Sequence, residues 1–297
     1  MAIATPATRL KNQWLAHLAL EFGRTEHGTQ LTRSKRNGPL LVQKAFYPEG
    51  RDCAHIYLLH PPAGIVSGDE LRVTMDIKRA AHTLLTTPGA NRFYRAREDL
   101  SIGDPQQTQI TTLHLESLAK CENFPQETIV YAGAEGVNTV DIHLADESIY
   151  LGWDITCLGL PSSQQPFVTG SYTQLNRLFC ENKLVYHDRI TISADNNLLT
   201  HPAGLAGNSV FATFIIYAPG KLANNHQSDA LVESLRERVE QVQAGSKISI
   251  SNLRGLLIIR YLGHHAQECK DLFIQLWLIA RPICLDKTAI QPRIWHT

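Results

Sequence analysis

The chain is 297 residues long, 43% hydrophobic and 19% charged, which fits one large or two medium folded domains and excludes general disorder. Its 28 basic and 28 acidic residues balance, so no bulk charge steers it toward nucleic acid. No apolar stretch approaches the roughly 20 residues of a spanning helix, and Met1–Leu15 lacks the basic head and apolar run of a secretory signal.

From Trp14 to about Ile216 the sequence predicts strands: short runs of Val, Ile, Leu, Thr and Tyr are cut at close intervals by Gly, Pro, Asn and Asp. Asn37-Gly38-Pro39 cannot be helix interior, because Gly is costly there and Pro lacks the N–H donor. Leu40–Val42 then reads as a buried strand that stops at Tyr47-Pro48-Glu49-Gly50, and Ala54–His60 as a second, ended by Pro61-Pro62. Ala63–Asp69 follows as a tight loop with an acid at its exit. Thr108–Leu115 is a further strand. Val137–Leu144 alternates, with Val140, Ile142 and Leu144 on one face and Thr139, Asp141 and His143 on the other. Leu184–Ile192 follows a turn at Glu181-Asn182, and Val210–Tyr217 is almost wholly apolar, as a strand buried on both faces is.

Two helices are predicted late in the chain. Asp229–Ala244 carries Leu231, Val232, Leu235, Val239 and Val242 on one stripe, with Ser228 as N-cap and Gly245 as stop. His264–Ala280 carries Cys269, Leu272, Phe273, Leu276 and Trp277 on one face, and Pro282 is expected to end it; Ile248–Tyr261 between them reads as strand. Strands and helices do not alternate throughout, so a doubly wound parallel sheet is not expected. The fold class is mainly β with two α-helices toward the C-terminus, in a single domain over residues 1–297 without a fixed-period repeat.

Six cysteines, Cys53, Cys121, Cys157, Cys180, Cys269 and Cys284, are scattered without a CxxC, which favours reduced, buried thiols in a cytoplasmic protein over a disulfide framework or structural zinc. There is no GxxxxGK[ST], no GxGxxG and no HExxH, and Gly64-Ile65-Val66-Ser67-Gly68 spaces its Ser wrongly for a nucleophile elbow. Any nucleotide chemistry must come from a partner. Cys53 and His55 share a strand face, with His60 and Asp69 nearby in sequence; thiolate, imidazole and carboxylate suit nickel or zinc, and plain packing suits the same pattern. A metal-dependent hydrolase built on His55, His60 and Asp69 is the alternative function. Asp69 reads equally as a turn acid capping backbone amides, and Asp141 and Glu181 as solvated acids. Asn91–Arg97 sets three Arg around two aromatics. That pattern can stack bases, but in a neutral chain it favours Arg92, Phe93, Tyr94 and Arg95 as protein-interface anchors, with no nucleic-acid partner.

Five segments together resemble the urease accessory protein D family (UreD, called UreH in some organisms): NGPLLVQKAFYPEG at 37–50, LLHPPAGIVSGDEL at 58–71, LLTTPGANRFYRA at 84–96, FPQETI at 124–129 and LGWDITCLG at 151–159. Ala63 and Ser67 stand where the family has Gly, Phe124 where it has Leu, and Leu160 where it has Arg, which removes a charged contact from that last loop. Beyond about residue 165 the likeness is one of composition and layout. The resemblance implies a β-helix-like stack of strands with two helices and no catalysis. It implies a cytoplasmic nickel-delivery scaffold that binds apo-urease, the helical partner UreF and, through it, the nickel-binding GTPase UreG. GTP-dependent nickel insertion would then use an internal polar tunnel, with only transient Ni2+, no tightly bound cofactor and no membrane; a homodimer within the accessory complex is left open. The Gly68-Asp69 pair matches the family motif and makes Asp69 the first candidate for the nickel path; Thr86, Thr87, Asp141 and Glu181 are the others, and the late helices are the expected UreF face.

Overall fold

Trp14–Thr25 (β1) is a strand because every second residue is apolar: Ala16, Leu18, Leu20 and Phe22 are buried on one face. The structure, a computed structural model, describes residues 14–222 and 224–296. After β1 come Gly28–Asn37 (β2), Leu41–Val42 (β3), Cys53–Leu59 (β4), Asp69–Ile77 (β5), His82–Thr86 (β6), Asn91–Phe93 (β7), Gln107–Leu115 (β8) and Lys120–Phe124 (β9). Thr128–Val130 (β10), Glu135–Leu144 (β11), Ile149–Leu158 (β12), Ser171–Cys180 (β13), Lys183–Ser193 (β14) and Val210–Tyr217 (β15) follow. Pro219–Leu222 (α1), Asn225–Gln241 (α2), Ile248–Leu253 (β16), Leu256–Gly263 (β17) and Ala266–Leu285 (α3) complete the main elements.

The first sheet has the order β14-β13-β11-β8-β5-β1-β2, and the second runs β16-β17-β15-β12-β9-β6-β4-β3, with β10 and β7 paired beside β12. In the middle of the chain the strands alternate between sheets and pair in parallel: β5, β8, β11 and β13 in the first, β4, β6, β9 and β12 in the second. Three short turns carry the chain from first sheet to second at one end. Each is closed by the same kind of bond (Ala81 N–H to Lys78 O at 3.0 Å, Ala119 to Glu116 at 3.0 Å, Ser148 to Ala145 at 3.2 Å). Each also places one non-glycine residue, Ala80, Leu118 or Glu147, in the left-handed region at φ of 58°, 63° or 59°. Long loops at 60–68, 87–106, 125–134 and 159–170 make the return crossings at the other end. Antiparallel strands flank this middle on β1–β2, β13–β14 and β12–β15–β17–β16. The fold is mainly β as expected; the sheets are mixed, and no uniform coil runs through the chain.

The second sheet is buried on both faces. Ala54, Ile56, Leu85 and Ile215 meet the first sheet, while Leu84, Phe124, Trp153 and Phe214 meet α2 and α3. Both helical stripes are buried as the spacing requires: Leu231, Leu235 and Val239 on α2, Cys269, Phe273, Leu276 and Trp277 on α3. Boundaries differ from expectation for local reasons. α2 starts earlier because Asn224, not Ser228, caps it, accepting from His226 N–H at 3.0 Å. Pro282 lies inside α3, which runs on to Leu285. Residues 248–261 are a hairpin, since Arg254 and Gly255 both take positive φ, as a tight two-residue turn demands. A third, one-turn helix, α1, was not expected.

Candidate functional site

Between the sheets an otherwise apolar core holds a row of polar side chains from β11, β13 and β12. Asn138 Nδ2 donates to Gln174 Oε1 (3.0 Å), Gln174 Nε2 to Asn176 Oδ1 (3.0 Å), and Asn176 Nδ2 to Asp154 Oδ2 (2.7 Å). Tyr172 OH also donates to Gln174 Oε1, at 2.9 Å. In the ionised form of Asp154 the relay has one polarity: the carboxylate only accepts, so Asn176 presents its amino group and each amide upstream does the same. Asn138 Oδ1 is then left without a partner among the described residues. Burial pushes the Asp154 carboxyl up to about 7, Asn176 pulls the other way, and Asp188 and Arg260 oppose each other.

Two cavities meet at this row. One of about 270 Å³ is lined by His60, Thr87, Asn123 and Asn138 among apolar neighbours such as Leu40, Leu58 and Val140. The second, of about 580 Å³, is lined by Gln174, Asp188, Lys247 and Arg260. Asp154 and Asn176 border both. His60 has both ring nitrogens buried without a hydrogen-bond partner among the described residues, and burial lowers its pKa, which favours a neutral imidazole.

On the opposite face of the second sheet lies a buried ion cluster. Arg281 of α3 is fully buried; its Nε and Nη2 donate to Glu122 at 3.0 Å and its Nη2 to Glu49 at 2.7 and 2.8 Å, while Nη1 donates to Thr288 O. Trp277 Nε1 donates to Glu122 at 2.7 Å, His82 Nε2 pairs with Glu122 at 2.9 Å, and His55 Nε2 with Glu49 at 2.7 Å. Burial pushes the Glu49 carboxyl up, but the His55 hydrogen bond and the Arg281 guanidinium outweigh it and hold it down at about 2. Burial keeps the Cys53 thiol well above its ordinary value, hence protonated. Potential ligand atoms do gather here, in the sets Glu49-Cys53-His55 and Cys53-His82-Glu122. Both carboxylates are already engaged by a guanidinium. The predicted grouping of Cys53, His55 and His60 is corrected accordingly: His60 is not in either set and faces the first cavity instead.

The other predicted residues fall as follows. Asp69 is buried at the start of β5 and accepts from Val66 N–H at 3.0 Å, the geometry of a turn acid. Thr86 is buried, donating to Phe124 O at 2.6 Å and accepting from Trp295 Nε1 at 2.8 Å. Thr87 lines the first cavity; Asp69, Thr86, Asp141 and Glu181 line neither. Asp141 lies on the outer face of β11 in a two-pronged pair with Arg177, both bonds 2.7 Å, and Glu181 is exposed and accepts from Asp146 N–H at 2.7 Å. The alternative hydrolase set is not assembled, because His55, His60 and Asp69 sit in three different environments: ion cluster, cavity wall and turn. Phe93, expected at an interface, is fully buried against Tyr172 at 5.4 Å, so it is a core residue. Arg92 is half-buried and donates to Ala63 O at 3.2 Å, Tyr94 packs on Tyr131 at 5.1 Å, and Arg95 is exposed and paired with Glu98.

Asp154, the Asn138–Gln174–Asn176 row, Glu122, His82 and Arg281 were not picked out from the sequence. A signal was there for some: Asp154 interrupts the apolar run Ile149–Leu158, and Arg281 stands four residues after Trp277 on the apolar stripe of α3. Among the described residues no helix is long and apolar enough to cross a membrane. All six cysteines are free thiols, five of them buried.

Comparison with known proteins bears on the whole chain. Residues 15–296 match the family model of UreD urease accessory protein. The chain is 69% identical over 294 residues to urease accessory protein UreD of Psychromonas ingrahamii, covering 97% of this chain and 95% of that one. It is 41% identical over 290 residues to UreD of a Marinomonas species (96% and 91% covered) and 39% over 289 residues to UreD 1 of Psychrobacter cryohalolentis (96% and 91%). The chain belongs to the UreD family, whose members are accessory proteins to urease and not enzymes.

Proposed function

We propose that this chain is a cytoplasmic urease accessory scaffold that binds apo-urease, UreF and UreG and assists GTP-dependent nickel insertion by giving Ni2+ a route through its interior. The observation that carries this reading is the pair of cavities that share Asp154 and Asn176 as a common wall. A passage between two sheets, polar at the wall the cavities share, shields the ion from competing thiols and imidazoles, and oxygen donors release it more readily than a thiolate cage does. Ni2+ is cargo here, with no resident cofactor. The exposed side of α2 and α3 is the proposed face for UreF. The β-helix-like stack that the resemblance implies is supported by the alternation of parallel strands between the sheets in the middle of the chain.

A plug at the shared wall tests the route. Thr213 of β15 lies opposite Asp154 in register and lines the second cavity. Thr213→Trp is expected to leave UreF, UreG and apo-urease co-purifying with the chain while the nickel content and activity of urease fall. Full activation with the plug in place refutes the interior route.

A further inference from the structure

The outermost strand of the first sheet, β2, pairs with β1 alone among the described residues, so one of its two edges is open. Its first residues are tied down: Gly28 and Thr29 are buried, and Thr29 N–H donates to Arg51 O at 2.8 Å. From Thr32 to Asn37 every residue is exposed, and among the described residues no backbone bond joins 30–37 to any element but β1. In an antiparallel pair every second residue turns its N–H and C=O away from the partner strand. This stretch therefore presents a row of unmade ladder bonds, a template for a further strand.

The charges decide what kind of strand fits. β2 carries Arg33, Lys35 and Arg36 and no acid. Arg33 and Lys35 stand opposite Glu21 and Ala19 on the outer face, while Arg36 stands opposite Leu18 on the inner one, so cations flank the open edge on both sides. None of the three is in an ion pair among the described residues. Glu21 accepts from Thr32 and lies 3.9 Å from Lys78 instead. A second copy of this chain would set the same cations against these. Residues 1–13 hold Arg9 and Lys11 and no acid, so they are not the complement either. A nucleic acid would satisfy the cations but not the backbone row, and β2 has no aromatic residue on which bases could stack.

We propose that the open half of β2 is a docking edge for an acidic, extended segment of a partner protein, which adds as a further strand to the first sheet and sets carboxylates beside Arg33, Lys35 and Arg36. Backbone bonds give such a strand its affinity, and its alternating side chains give it specificity. The ionic part speeds encounter and weakens with salt. The edge is separate from the cavities between the sheets, so its test and that of the interior route succeed or fail independently.

The test uses the full chain and a fluorescein-labelled peptide of about ten alternating Glu and Thr residues. Binding is expected in fluorescence anisotropy, weakened by added salt, together with slowed amide exchange at residues 32–37. The same peptide N-methylated at every residue keeps its carboxylates but donates nothing to a ladder, and is expected to bind at least about tenfold more weakly. Replacing Arg33, Lys35 and Arg36 together by Ser is expected to cost about tenfold or more in peptide affinity, with thermal unfolding unchanged, since all three are exposed. Polyuridylate is expected to bind more weakly than the peptide. The proposal is overturned if the peptide does not bind, binds without protecting residues 32–37, or binds equally well when N-methylated. Tighter binding of polyuridylate makes the edge a nucleic-acid site and overturns it as well. Should the triple-Ser chain self-associate while the wild-type chain ignores the peptide, the cations only guard a bare edge and the proposal falls.

Discussion

Replacing Arg281 by Met removes the guanidinium that pairs with both Glu49 and Glu122. The guanidinium is fully buried, and the two side chains it engages are 5% and 0% exposed, so neither carboxylate can turn to water when it is lost. Breaking a buried pair by deleting one partner typically costs about 3–5 kcal/mol, because a charge is left uncompensated. Two partners, the His55 hydrogen bond first and Arg281 second, share the depression of the Glu49 pKa, so it gives only a ceiling for Glu49. Its carboxyl is held at about 2 against an ordinary 4.5, and at about 1.4 kcal/mol per unit this is about 3 kcal/mol. The folded-state pKa is depressed, so this stability is present above about pH 4.5 and is lost as pH falls toward about 2. Urea unfolding followed by tryptophan fluorescence reads the site directly, since Trp277 donates to Glu122. The expected result is a loss of about 3–5 kcal/mol at pH 7 that shrinks below pH ~4, as both acids protonate in the variant. Adding Glu49→Gln and Glu122→Gln is expected to recover most of it. A variant within about 1 kcal/mol of wild type at pH 7, or a loss indifferent to pH, would show that Arg281 does not carry these charges.

Gly64→Ala brings a Cβ within 2.2 Å of the Tyr94 ring, so the loop or the ring must move; a loss of about 1–3 kcal/mol in urea unfolding is expected, relieved by Tyr94→Ala in the same chain. Thr86→Val leaves Trp295 Nε1 and Phe124 O without the hydroxyl they share; about 1–3 kcal/mol is expected, with faster amide exchange over residues 286–296. Asp69→Asn keeps an acceptor for Val66 N–H and is expected to load nickel as wild type, whereas Asp69→Ala loses about 1 kcal/mol of stability by analogy with a capping residue. Impaired loading by a stable Asp69→Asn chain would return Asp69 to the nickel path.

What the sequence disclosed and what it hid divide along physical lines. Alternation is a local signal, so β11 was read with the correct face inward, and Val210–Tyr217 was read as buried on both sides, as it is. The helical stripes of α2 and α3 were equally plain, while their ends were not, because a cap depends on which of several Asn or Ser residues the chain entering the helix can use. The site was hidden for a different reason. Asn138, Asp154 and Asn176 lie on three strands, and their partnership exists only once β11, β12 and β13 are stacked; nothing local marks an Asn that will face another Asn. Charge-bearing motifs misled for the same reason. His55 and His60 are five residues apart in sequence, but β4 turns one to the helices and the end of the strand turns the other to the cavity.

The two ends of the stacked strands are under different constraints, and this bears on where function resides. At one end the crossings are short and nearly identical, each with one left-handed residue and one closing bond, so little can vary without disturbing the pairing of the strands they join. At the other end the crossings are long. Four of the five segments that carry the family likeness, 58–71, 84–96, 124–129 and 151–159, run into those long loops. His60, Ala63, Thr87, Pro88, Pro125 and Gln126 from three of these segments line the first cavity, and Asp154 from the fourth closes it from within. Loops held on a rigid scaffold are free to carry chemistry that the scaffold's own packing would forbid. A ladder fixed by its turns at one end therefore leaves variation to the loops that surround the first cavity at the other.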